Sequence, residues 1–156
     1  MEDIRIVEVE SQMVIGLRRR GPYTQIGAMI PELFEFAEEN GVMLAGAPIF
    51  VSHETTAEEA LEAEAKGTAD VEVVFPIACD VKPSGEVKYY ELAGGKMAQI
   101  VYKGPYEAMV PTYEKLFVWL TENGKQIVGP LREVYLSDPR LVSPDEYITE
   151  IYAPID

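Results

Sequence analysis

The sequence is poor in reactive side chains and in positive charge: among 156 residues there are one cysteine, one histidine, one tryptophan and 13 basic residues. A lone thiol, Cys79, excludes an internal disulfide and fits a reducing, cytoplasmic setting. His53 accompanies no Ser or Cys motif, so a histidine-based triad is not expected. No His, Cys or Asp stands at ligand spacing beside Glu58, Glu59, Glu62 and Glu64, which read as a solvated helix face rather than a metal site. No metal and no cofactor are expected. No run approaches the roughly 18 apolar residues that a bilayer span needs. The start, Met-Glu-Asp-Ile-Arg, lacks the basic-then-apolar pattern of a signal peptide. Against 27 acidic residues the basic ones leave a formal net charge of −14. That argues against nucleic acid, whose binding rests on neutralising phosphates with Lys and Arg, and against anionic membranes. It favours cationic ligands. Arg18-Arg19-Arg20, the only basic cluster, reads as an exposed strand end.

What is present is a globular pattern, 47% hydrophobic with interspersed charge, long enough for one domain. Near the end, Ile148–Ile155 alternates as a strand does. Ile148, Glu150 and Tyr152 share one face; Thr149, Ile151 and Ala153 share the other. Glu150 thus lies between two apolar neighbours, where an ionised carboxylate is costly without a partner. It either awaits a cationic or hydrogen-bonding ligand, or is solvated or paired with a nearby Lys or Arg.

A second copy of this strand exists. Val71–Ile77 matches it with Glu72 on Glu150 and Pro76 on Pro154, an offset of 150 − 72 = 78. Gly21-Pro22-Tyr23 recurs as Gly104-Pro105-Tyr106, and Glu39-Asn40-Gly41 as Glu122-Asn123-Gly124, at an offset of 104 − 21 = 83. The difference, 83 − 78 = 5 residues, is an insertion between His53 and Asp70. Ordered, nearly gap-free matches read as an internal duplication, with repeats over about residues 1–82 and 83–156 of one domain.

Each repeat reads as strand, strand, helix, strand, strand. Strands are expected at Ile4–Val9, Val14–Arg20, Ala47–Ser52 and Val71–Asp80, then at Val87–Leu92, Lys96–Lys103, Leu131–Ser137 and Tyr147–Ala153. Gly94-Gly95 reads as a hairpin turn, and Pro83-Ser84-Gly85 as the boundary between repeats. One helix runs from Thr24 to about Asn40 on the stripe Ile26, Met29, Ile30, Leu33, Phe34 and Ala37, with Pro31 expected to kink or restart it. The other, about Glu107 to Glu122, carries Met109, Val110, Tyr113, Leu116, Phe117 and Leu120. Trp119 lies beside that stripe and is read equally as core or as a ligand contact. Thr56-x-x-Glu59 offers a capping box for a third, short helix. The expectation is an α+β domain of tandem β-α-β-β units, with an antiparallel sheet of about eight strands, two main helices, pseudo-twofold symmetry and a groove between the halves.

Gly-x-Tyr opening a helix, Trp119 late in it, Arg132-Glu133-Val134-Tyr135-Leu136-Ser137-Asp138-Pro139 and the terminal Thr-Glu-Ile-Tyr-Ala-Pro-Ile together resemble the GyrI-like (SbmC-type) family over essentially the whole chain. The same domain serves as effector-binding module in multidrug-responsive regulators of the MerR and AraC types. The resemblance implies SHS2-like β-α-β-β units and a pocket between them. It also implies that the last-strand glutamate, here Glu150, faces lipophilic cations there. Tyr106, Tyr113, Tyr135 and Tyr152, with Trp119, are aromatic candidates. Some stand-alone family members resemble hydrolases that open cyclopropane rings of genotoxic alkylators, which implies an alternative with Glu150 paired to Tyr152 or Tyr113 as catalytic residues. Members named for gyrase inhibition imply a protein partner. Small-molecule binding ranks first, and the sequence is compatible with a monomer or a homodimer.

Overall fold

The computed structural model describes residues 3–82 and 84–156. Pro83, in the expected boundary turn, lies outside the described residues. The first half runs β1 (Arg5–Val9), β2 (Gln12–Gly21), a 3-10 turn (Tyr23–Gln25), α1 (Ile26–Glu39), β3 (Ile49–Ser52), α2 (Ala57–Lys66) and β4 (Ala69–Pro76). The second runs β5 (Lys88–Leu92), β6 (Gly95–Lys103), a 3-10 turn (Tyr106–Ala108), α3 (Val110–Glu122), β7 (Leu131–Tyr135) and β8 (Ile148–Pro154). The strands form one antiparallel sheet in the order β1-β6-β8-β7-β3-β4-β2-β5. Exchanging β1 with β5, β2 with β6, β3 with β7 and β4 with β8 simply reverses that order. The α+β class and the eight-stranded sheet are as expected.

The hairpin expected at Gly94-Gly95 does not form. β5 pairs with β2, and β6 pairs with β1 and β8. The glycines serve a crossing instead: a Cβ on Gly94 would run into the Val9 carbonyl oxygen, and its N–H donates to the Ser11 hydroxyl at 2.9 Å. The two-residue links Glu10-Ser11 and Ala93-Gly94 thus pass against each other. Each joins one end of the sheet to the other, which requires the sheet to curl until its ends meet.

Both long helices cover one face. Met29, Leu33 and Ala37 of α1 pack with Ile15, Leu17, Phe50, Val71, Val73 and Phe75; Leu116 and Leu120 of α3 pack with Ile100, Leu131, Ile151 and Ala153. The opposite face turns into the curl and buries Val14, Ile49, Val51, Val74 and Leu92. α1 continues through Pro31 rather than kinking or restarting there. The ring removes one donor, and its three buried anchors outweigh that loss. In α3, Val110 is 62% exposed and leaves the expected stripe, while Thr112 is buried. The 3-10 turn before the helix shifts its phase. α2 forms as its capping signal predicts, with Thr56 accepting from the Glu59 N–H at 3.1 Å. Glu59 reaches back to the Thr55 N–H at 3.2 Å. Among the described residues no helix is long and apolar enough to cross a membrane.

Candidate functional site

At the middle of the sheet the halves meet in the β3–β7 pairing. Opposed residues in antiparallel strands share a face, and the register sets Phe50 against Glu133 and Glu133 against Ile151. Ile151 belongs to the core beneath α3, so Glu133 points to the helix side of the sheet. There its carboxylate accepts hydrogen bonds from the hydroxyls of Tyr113, on α3, and Tyr135, two residues on along β7, the latter at 2.8 Å.

Other rings extend this pair. Tyr106, in the turn before α3, stacks on Tyr147 with centroids 4.9 Å apart and meets Tyr135 edge-on at 5.3 Å. From the first half, Tyr23 stands edge-on to Phe50 at 6.1 Å. Its hydroxyl donates to Glu54 at 2.6 Å, and Glu54 also accepts from the Asp70 N–H at 3.1 Å. Tyr23, Tyr113, Tyr135 and Glu133 retain partial solvent access.

Burial pushes the Glu133 carboxyl above its usual range, and the two phenol hydrogen bonds only partly offset it. Burial likewise holds Tyr113 and Tyr135 well above the ordinary phenol value, reinforced by the Glu133 charge. Tyr23 is raised by burial, by its bond to Glu54, and by the nearby Glu64 and Glu133. Glu133 takes part in no ion pair among the described residues. The site therefore combines apolar rings with an uncompensated acidic field.

Of the residues singled out in the sequence, Tyr106, Tyr113 and Tyr135 come together here. Glu150 and Tyr152 do not join them. Glu150 is set against Val134, so it lies on the face opposite Glu133. It accepts from the Tyr152 hydroxyl at 3.0 Å, and Gln99 donates to that hydroxyl at 2.9 Å. Trp119 packs on the second-half core and borders an open depression of about 470 Å³ on the outer side of α3, with Ile4, Pro111 and Val118. His53 contacts Glu72 at 2.7 Å on the inner face of the curl. Burial raises the Glu72 carboxyl, but bonds from His53 and Tyr90 outweigh it and hold it low. Among the described residues no cluster of His, Cys, Asp or Glu suits a metal ion.

Glu133, Tyr23, Phe50, Glu54 and Tyr147 were not singled out. One signal was available: Glu133-Val134-Tyr135 and Glu150-Ile151-Tyr152 are both Glu-x-Tyr strands with Glu and Tyr on one face. Only the register shows which of the two faces the helices.

The fold is similar to that of EcmrR: a crystal structure of its C-terminal domain superposes with a TM-score of 0.88 at 20% identity, covering 100% of this chain and 98% of that one. EcmrR in a DNA complex matches at 0.87 and 19%, over 99% of this chain; the chain spans 57% of that longer protein. A Listeria innocua protein encoded by lin2189, described as a hydrolase, matches at 0.71 and 14%, covering 98% and 91% of the two chains. SAV2435 bound to tetraphenylphosphonium matches at 0.57 and 16%, covering 99% and 94%. A comparison with curated protein sequences gave no significant match. The family model for the GyrI-like small molecule binding domain matches residues 2–156, and the chain accordingly belongs to the GyrI-like family.

Proposed function

We propose that this GyrI-like domain captures lipophilic organic cations in the cleft over the β3–β7 seam, with Glu133 supplying charge complementarity and Tyr23, Tyr106, Tyr113 and Tyr135 the walls. The carrying observation is the buried Glu133 carboxylate, held by two phenols and, among the described residues, by no cation. A desolvated carboxylate attracts an incoming cation more strongly than a solvated one, and each ring adds about 0.5–2 kcal/mol of cation–π attraction. The similar fold of SAV2435, solved with tetraphenylphosphonium, supports the same ligand class. Fluorescence titration with a rhodamine cation is the test. Glu133→Gln is expected to weaken it by about ten- to a hundredfold, with a neutral dye of like shape changed by less than about threefold. Glu150→Gln, on the other face, is expected to leave both unchanged. Equal losses for cation and neutral dye in Glu133→Gln would refute the charge role.

A second reading, hydrolysis of a strained cyclopropane alkylator, is favoured by one feature: a carboxyl with raised pKa beside the Tyr113 hydroxyl, groups suited to activating water and transferring a proton. Mass spectrometry of the incubated alkylator decides. Consumption by wild type that is lost in both Glu133→Gln and Tyr113→Phe establishes turnover; an unchanged alkylator leaves binding alone.

A further inference from the structure

We infer that Glu54 is a specificity-determining residue of this cleft, and that its preferred ligands are elongated aromatic dications whose two heads carry N–H donors. The inference rests on the cation-binding reading above and adds a second anionic pole to it. Glu133 comes from the second half and Glu54 from the first. Between them run Phe50, set against Glu133 across the seam, and Tyr23, edge-on to Phe50 and bonded to Glu54. The strip is thus carboxylate, ring, ring, carboxylate. Tyr23 senses Glu54, Glu64 and Glu133 together, so both poles act on one aromatic strip. Neither Glu54 nor Glu133 has an ion-pair partner among the described residues.

The direction of the hydrogen bonds sets the ligand chemistry. The hydroxyl protons of Tyr113 and Tyr135 go to Glu133, and that of Tyr23 goes to Glu54. These phenols therefore turn oxygen lone pairs, not protons, toward a ligand. Each carboxylate has about four acceptor sites. Glu133 uses two of them on the phenols, and Glu54 uses two on Tyr23 and the Asp70 N–H. The remaining acceptors suit amidinium, guanidinium or protonated amine heads, which donate charge-assisted hydrogen bonds. A quaternary head offers charge alone. A ligand engaging both poles makes its second contact intramolecularly, which raises its affinity over a one-headed analogue.

Calorimetric titration with three probes tests this: pentamidine, with two benzamidinium heads; 4-methoxybenzamidine, with one; and tetraphenylphosphonium, with none that donates. Wild type should bind pentamidine at least about tenfold more tightly than the one-headed probe. Glu54→Gln should abolish that advantage and leave tetraphenylphosphonium unchanged, whereas Glu133→Gln should weaken all three. Retained tetraphenylphosphonium binding and an unchanged urea midpoint in Glu54→Gln guard against a fold defect. Equal affinity of the two amidines in wild type, or an advantage that survives Glu54→Gln, would overturn the inference. Undiminished binding of every probe by Glu133→Gln would overturn the underlying reading as well.

Discussion

In the proposed reading Glu133 serves binding at the expense of stability. Its carboxyl is raised by burial, so the folded state binds the proton more tightly than the unfolded chain does. For a group raised on folding, the stabilising contribution is full below its unfolded value, about 4.3 for Glu, and is lost as pH rises through the folded value. Glutamine cannot ionise, and it keeps an oxygen for one phenol and an amide for the other. Glu133→Gln should therefore match wild type in acid and exceed it at neutral pH by on the order of 1 kcal/mol. Urea midpoints measured across pH would show a gap that opens upward; a gap that opens toward acid would contradict this account. Cation affinity of wild type should fall over the same interval as protonation removes the charge. Asp70 runs the other way: the Arg18 guanidinium, 2.6 Å away, holds it below its usual range despite burial, so its contribution fades toward acid.

The elements that matter most are the two crossing links. Glu10-Ser11 and Ala93-Gly94 hold the sheet ends together, and Arg132, only 8% exposed, braces the crossing by donating to the Ala93 carbonyl. Burial lowers the Arg132 pKa, with Glu72 opposing the shift. Gly94→Ala forces a methyl group into the backbone of Val9–Ser11 and should cost about 2–3 kcal/mol or more. Gly27, in the first turn of α1, has nothing within 4 Å of a would-be Cβ. Gly27→Ala should stabilise by up to about 1 kcal/mol through helix propensity. Chemical unfolding of both variants measures the pair; similar effects from the two would show that the crossing is not tight. α1 shows the same balance, keeping Pro31 within a helix anchored by Met29, Leu33 and Ala37.

At the scale of the molecule, the halves are interleaved rather than adjoined. β1, from the first half, completes the edge of β6; β5, from the second, completes the edge of β2. The β3–β7 seam joins them across the middle. Residues 1–82 or 83–156 alone would lose an edge strand and the seam, leaving unpaired backbone groups on apolar strands. Neither piece should show a cooperative thermal transition, while an equimolar mixture should recover strand signal in far-ultraviolet circular dichroism. A cooperative transition in either piece alone would show that the interleaving is dispensable. Unfolding of the whole chain is expected to be two-state, because the β1–β6, β2–β5 and β3–β7 pairings tie both halves into one sheet.

The alternation of apolar residues specified the strands, the stripes Met29–Leu33–Ala37 and Leu116–Leu120 specified the helices, and Thr56 with Glu59 specified the third helix. These signals are local, set by side chains two to four residues apart, so they are legible in the chain itself. Composition likewise determined the acidic balance and the scarcity of metal-ligating and nucleophilic side chains. Pairing is not local. That Gly94-Gly95 is a crossing and not a hairpin, and that β1 partners β6, follow from where distant strands bury their faces. The site depended on the same decision. Glu133 and Glu150 stand in the same Glu-x-Tyr pattern, and a shift of one position along a strand reverses the face on which a side chain lies. Tertiary register set Glu133 under Tyr113 and opposite Phe50, and turned Glu150 to the other side of the sheet.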